Sequence, residues 1–269
     1  MRKAAIIRIR CDLVGAFSLL ELLVVISVTS LLLGILMPAL SRCRSLAKQA
    51  VCQSRLRQWG IAFEMYAVGN DGFYPHIDGL DRDASRADLF GWVDMLPPLM
   101  GEKPWREHKL WHKPDRDTIF QCPSATFGFS NLLDYNPERN GYFSYAMNSC
   151  LELDQNCYPP HGEPGGNNMP SFLNSAKIRH PARVILLFDQ LLDPEKGYGG
   201  EKINVSAGRY CGSYPKAFSA RHTKPGGLLG GSILYCDYHV EWTETVWKPE
   251  WPDGLEVPPR DDPDWYPYP

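Results

Sequence analysis

The chain has 269 residues, long enough for one helical anchor and a domain of about 200 residues with its own core. Hydrophobic residues make up 44% and charged residues 22%, which excludes a disordered chain. Residues 70–269 hold 19 basic and 28 acidic side chains, an acidic balance that repels phosphate backbones, so no nucleic acid is expected as a partner.

Residues 1–16 form a basic leader, with Arg2, Lys3, Arg8 and Arg10 against Asp12. Residues 17–37 read FSLLELLVVISVTSLLLGILM. Their 21 residues span about 31 Å as a helix, the thickness of a bilayer core. A cleaved secretory signal has a shorter apolar run with its small-residue site after it; here the small pair Gly15–Ala16 comes before the run. Glu21 interrupts the run. A carboxylate costs roughly 2.5–3.5 kcal/mol at a spanning-helix centre and less near an end, so it marks a functional position or a headgroup-level one.

Pro38 is expected to bend the helix or end its first part. Residues 38–69 continue as an amphipathic helix, with Leu56, Trp59, Phe63 and Tyr66 as a stripe for ordinary core packing. Arg42, Arg44, Lys48, Arg55 and Arg57 supply its polar surface, and Gly69-Asn70-Asp71-Gly72 stops it.

Residues 70–247 read as a globular, loop-rich β domain. Between 76 and 180 the helix candidates are short, at 86–100 and 104–112. Val184–Asp189 is a buried strand. Ser232–Cys236 and His239–Thr243 form a hairpin around Asp237–Tyr238, and KPGGLLGGS (224–232) reads as a loop. Positive φ at Tyr238 strains a type I′ turn by roughly 1–2 kcal/mol, unless a different turn is used. The tail, 248–269, carries seven prolines in 22 residues. It excludes a regular helix or central strand, and packing on its own domain or disorder is expected before partner binding.

Of eight cysteines, Cys11 lies in the leader. Cys43 and Cys52 fall on opposite faces of the helix and do not pair with each other. Cys122, Cys150, Cys157, Cys211 and Cys236 form no CxxC, which argues against a zinc ribbon. An exported domain would form one or two disulfides with a thiol left over; buried free thiols are the equal alternative.

The best catalytic or metal constellation is Asp189, His222, Asp237 and His239, since imidazole and carboxylate bind zinc or calcium-type ions or exchange protons. Against it, Asp237 sits at a turn that favours Asp for local hydrogen bonds, Asp189 ends a strand, and His222 neighbours a glycine-rich loop. His108 and His112 lack an HExxH. Asp78, Asp81, Asp83 and Asp88 have the composition of a calcium loop without EF-hand spacing. No enzyme and no cofactor are expected, with calcium as the minority option.

The segment GAFSLLELLVVISVTSLLLGILMP (15–38) resembles the prepilin-type cleavage and methylation signal of type IV pilins and type II secretion pseudopilins. In that family a basic leader is cut just before a Phe, Glu stands fifth and Pro twenty-second. Counted from Phe17, Glu21 is fifth and Pro38 twenty-second. The family has Gly before the cut; here Ala16 stands there, with Gly15 one earlier. Cutting after Gly15 would make Glu21 sixth, so the bond between Ala16 and Phe17 is preferred. The resemblance implies processing by a prepilin peptidase at Gly15, Ala16 and Phe17. It also implies pairing of Glu21 with the freed amine of a neighbouring subunit, each charge offsetting the other's desolvation.

CQSRLRQWGIAFEMYAVGNDGFYP (52–75) is similar to pseudopilin-like proteins abundant in planctomycetes, with Ser54 where that group has Asn. FQCPS (120–124), YFSYAMNS (142–149), HPARVILLFDQ (180–190) and RH…ILYCDYHVEW (221–242) fit the same group. That group spaces its His and Asp more closely than the fourteen residues between His222 and Asp237 here. The implied fold is α+β and pilin-like: a long N-terminal helix, membrane half plus amphipathic half, on a mostly antiparallel sheet.

The implied function is a structural subunit of a type II secretion or type IV pilus-like filament, with itself and other pseudopilins as partners. The alternative is a membrane-tethered enzyme or binding module that does not polymerise. Basic residues flank both ends of the apolar run and leave its orientation undecided. The resemblance implies a single pass through the inner membrane, leader inside, and the C-terminal domain in the periplasm or outside the cell.

Overall fold

The structure is a computed structural model that describes residues 18–75, 91–107, 118–125, 143–148, 151, 174–190, 211–212, 218–219, 221–224, 227–244 and 265. The leader, the pair His108 and His112, and the acidic run Asp78 to Asp88 lie outside these residues, as do Gly15, Ala16 and Phe17. The chain divides into two compact units, residues 1–44 and 45–269.

Helix α1, Leu19–Gly69, runs through Pro38 without interruption, so the proline does not end the helix. In the first unit it is exposed from Leu19 to Met37. It is long and apolar enough to cross a membrane. In the second unit three of the four expected stripe residues, Leu56, Trp59 and Phe63, are fully covered, joined by Cys52, Ala62 and Ala67, and the fourth, Tyr66, is half-buried against the same core. The stop falls where expected. Gly72 N–H donates to Ala67 O at 2.8 Å, Asn70 Nδ2 to Tyr66 O at 2.7 Å, and Asp71 and Gly72 take positive φ.

Of the stretches 86–100 and 104–112, where short helices are expected, residues 86–90 and 108–112 lie outside the described residues, and the rest hold single turns. These are helix α2, Trp92–Met95, and 3₁₀ turns at Pro97–Met100 and Trp105–Glu107. Pro97 and Pro98 open the 3₁₀ turn that follows α2, and Gly101, at φ 76°, closes it. Aromatic packing holds this region instead: Trp59 meets Trp92 edge-on at 4.9 Å and Phe120 at 5.6 Å, and Trp105 meets Phe143 at 4.5 Å.

Among the described residues six strands follow: β1 Tyr145–Asn148, β2 Ile185–Asp189, β3 Cys211–Gly212, β4 His222–Thr223, β5 Leu229–Tyr235 and β6 Val240–Glu244. They make one sheet in the order β3-β1-β2-β5-β4, with β6 also on β5. All pairs are antiparallel except β1 with β3. The chain is therefore α+β, with a long N-terminal helix and a mostly antiparallel sheet. One sheet face packs Tyr145, Met147, Leu187 and Leu234 with the α1 stripe. The other packs Ala146, Ile185, Phe188, Ile233 and Tyr235 with Phe218 and Trp265. Because both faces are covered, β2 is an unbroken apolar run rather than an alternating one. Trp265 stands 5.0 Å from the Phe188 ring and accepts from Asn148 Nδ2 at 2.7 Å, so the tail packs on its own domain at that residue.

Two expectations about β5 are corrected. Its residues Leu229 to Gly231 are strand, not loop, so the strand expected from Ser232 begins three residues earlier. The glycines there admit neighbours: a Cβ on Gly230 would lie 2.3 Å from Thr243 O and 2.4 Å from the Trp242 ring. At the hairpin, Tyr238 N–H donates to Tyr235 O at 2.9 Å and Tyr235 N–H to His239 O at 3.0 Å. The turn therefore centres on Cys236–Asp237, and Tyr238, at φ 70°, takes the left-handed place after it. A three-residue loop with a bulge replaces the two-residue turn.

Candidate functional site

The first candidate is the start of α1. Ser18 caps the helix: its Oγ accepts from Glu21 N–H at 3.2 Å, and Glu21 Oε2 accepts from Ser18 N–H at 2.9 Å. This is a reciprocal capping box, and its Ser-x-x-Glu spacing is readable in the sequence. Glu21 therefore has a local structural task as well as any role in assembly, which sequence reasoning missed. Further along, Ser27 Oγ donates to Val24 O at 2.8 Å and Thr29 Oγ1 to Val25 O at 2.9 Å. Hydroxyls bonded back to their own helix suit a segment with no water around it.

The second candidate lies in the globular unit, on the sheet face that packs against α1. Phe188 pairs with Ile233 and His222 with Gly230, which sets Asp189 opposite Ser232, two positions along β5 from His222's partner. Side chains two apart on a strand share a face, so the end of β2 and the start of β4 present carboxylate and imidazole together. His222 Nε2 lies 3.3 Å from Asp189 Oδ2. Two cysteines join them. Cys52, on the buried stripe of α1, donates its thiol to Asp189 Oδ2 at 3.8 Å and accepts from Tyr145 Oη at 3.3 Å. Cys122 Sγ stands 3.2 Å from His222 Nε2.

Cys122 sits on an irregular segment, and several hydrogen bonds fix it there. Cys122 N–H donates to Ser144 Oγ at 2.8 Å, Trp59 Nε1 to Ile119 O at 3.1 Å, and Arg55 to Gln121 O. Ser144 N–H donates to Phe120 O at 3.0 Å. Arg221 closes the site from outside, its guanidinium donating to Asp189 Oδ1 and to Gln190 O.

The four side chains are all but sealed, at 0% for Cys52 and Asp189, 1% for His222 and 2% for Cys122. Burial pushes the Cys52 thiol well up. Burial also opposes charge on Cys122, yet hydrogen bonds from Cys52 and His222, with the Arg221 charge nearby, bring it down to about 5. For His222 burial again opposes charge, and its bonds to Asp189 and Cys122 outweigh that and raise it to about 9. The cluster could hold a metal: one donor atom from each of the four residues lies within 4.8 Å of every other.

The sequence constellation is thus divided. Asp189 and His222 come together; Asp237 and His239 do not join them. Asp237 accepts from His239 N–H at 3.2 Å and from its Nδ1 at 2.5 Å, at the partly exposed hairpin turn, the local role Asp takes at turns. Cys43 is an exposed free thiol, and Cys52, Cys122 and Cys236 are buried free thiols. Cys11, Cys150, Cys157 and the Cys211 side chain lie outside the described residues. A comparison with protein families, curated proteins and solved structures finds no match.

Proposed function

We propose that the chain is a pseudopilin-like structural subunit of a type II secretion or type IV pilus-like filament, cut by a prepilin peptidase and held in the inner membrane by α1. One observation carries this reading. The first part of α1 exposes Leu19, Leu20, Leu22, Leu23, Val24, Val25 and Ile26 around a single carboxylate, Glu21, while later residues of the same helix belong to the core of a folded domain. Such a surface is stable only in lipid or against sister helices. The pilin-like fold, the filament partners and the outward-facing domain all follow from the likeness of residues 15–38 to the prepilin signal.

Because Glu21 also belongs to the capping box, two substitutions separate its tasks. Glu21→Gln removes the charge and keeps an acceptor for Ser18 N–H; Ser18→Ala weakens the cap and keeps the charge. A filament subunit loses assembly with Glu21→Gln and keeps it with Ser18→Ala, read as the fraction of chain recovered in sheared, sedimented fibres. Unchanged recovery for Glu21→Gln overturns the filament reading in favour of a tethered module that does not polymerise.

A further inference from the structure

We propose that Cys52, Cys122, Asp189 and His222 are the four ligands of a closed site for a divalent ion of the zinc class. This inference stands apart from the filament reading. Of the six separations, His222 Nε2 to Cys122 Sγ is 3.2 Å, His222 Nε2 to Asp189 Oδ2 3.3 Å and Cys52 Sγ to Asp189 Oδ2 3.8 Å, and all six lie within 4.8 Å. A tetrahedral ion with zinc's bond lengths to sulfur, nitrogen and oxygen holds its donors about 3.3–3.8 Å apart.

The alternative chemistry for such residues is a cysteine nucleophile activated by a His–Asp pair. In that arrangement thiol and carboxylate sit on different ring nitrogens, so that a proton enters at one and is held at the other. Here both face Nε2. Donors converging on one nitrogen from two sides surround a point; they do not form a relay. Two sulfurs also exclude calcium and magnesium, which take oxygen. The near-complete burial leaves no open position for substrate water, which makes the site structural.

Arg221 completes the arrangement. By holding Asp189 Oδ1 it turns Oδ2 inward as a single donor, the outer contact that orients a metal-binding carboxylate. Two thiolates and one carboxylate around a dication leave one negative charge, and the guanidinium cancels it, so the buried group is neutral. The ligands come from α1, the 118–125 segment, β2 and β4. One ion would join four pieces far apart in sequence, and metal binding would become folding free energy.

The test uses the full chain, purified in detergent under reducing conditions and loaded with zinc(II) or cobalt(II). Elemental analysis after dialysis should find one ion per chain. The cobalt form should show a thiolate-to-cobalt charge-transfer band in the near ultraviolet and the intense visible bands of a tetrahedral centre. Cys122→Ser and His222→Gln should lose the ion, while Cys43→Ser, at an exposed thiol, should keep it. Should the site variants fail to fold, the wild-type cobalt spectrum decides. No bound ion, a spectrum lacking sulfur ligation, or a Cys52–Cys122 disulfide in the unreduced native protein would each overturn the proposal.

Discussion

Asp189 reaches His222 through one oxygen only: Oδ2 lies 3.3 Å from the imidazole Nε2, while Oδ1 is occupied by Arg221. The carboxylate is therefore aimed rather than merely buried, and Arg221 does the aiming. Arg221→Met keeps much of the side chain's bulk and removes the guanidinium. It should weaken metal affinity by about 10–100-fold, the usual effect of losing an outer contact. Competition with a chromophoric chelator measures it on the full chain. An unchanged affinity would mean that Asp189 is positioned without Arg221.

Gly230 pairs with His222 on one edge of β5 and with Glu244 on the other. A Cβ there would collide with Thr243 O and the Trp242 ring. Gly230→Ala should cost about 1–3 kcal/mol through overpacking, seen as a lower urea midpoint with the slope unchanged. A midpoint equal to wild type would show that β6 moves aside without cost.

Trp265 is buried against Phe188 on the sheet face opposite α1. Trp265→Ala should destabilise the domain by about 3–5 kcal/mol, as for other large aromatic truncations in cores. The same denaturation experiment reads it. A loss below about 1 kcal/mol, the range of a surface change, would mean that the tail contributes little to the core.

Much of the fold was legible because it rests on local patterns. The α1 stripe follows helical spacing, its end follows Gly69 to Gly72, and β2 follows a β-branched, apolar run. The candidate site was only half legible. Asp189 and His222 stand beside recognisable strand and loop signals. Cys52 falls four residues before Leu56 on the buried stripe, and that spacing alone could have placed it on the core face. Cys122 has no such signal: its position depends on Ser144, Arg55 and Trp59, contacts between distant segments that no local pattern encodes. A search for CxxC pairs misses a site whose two thiols are brought together by the tertiary fold. Tyr238 shows the opposite case. The strain at its position was readable, but the choice of a three-residue turn was settled by the register of β5 with β6.

The filament reading rests above all on cleavage before Phe17, and mass spectrometry of the N-terminus of the protein from native membranes tests it most directly. The expected result is a chain beginning at Phe17, with or without N-methylation, so that Glu21 stands fifth. A chain beginning at Met1, or one beginning beyond residue 38, would contradict it.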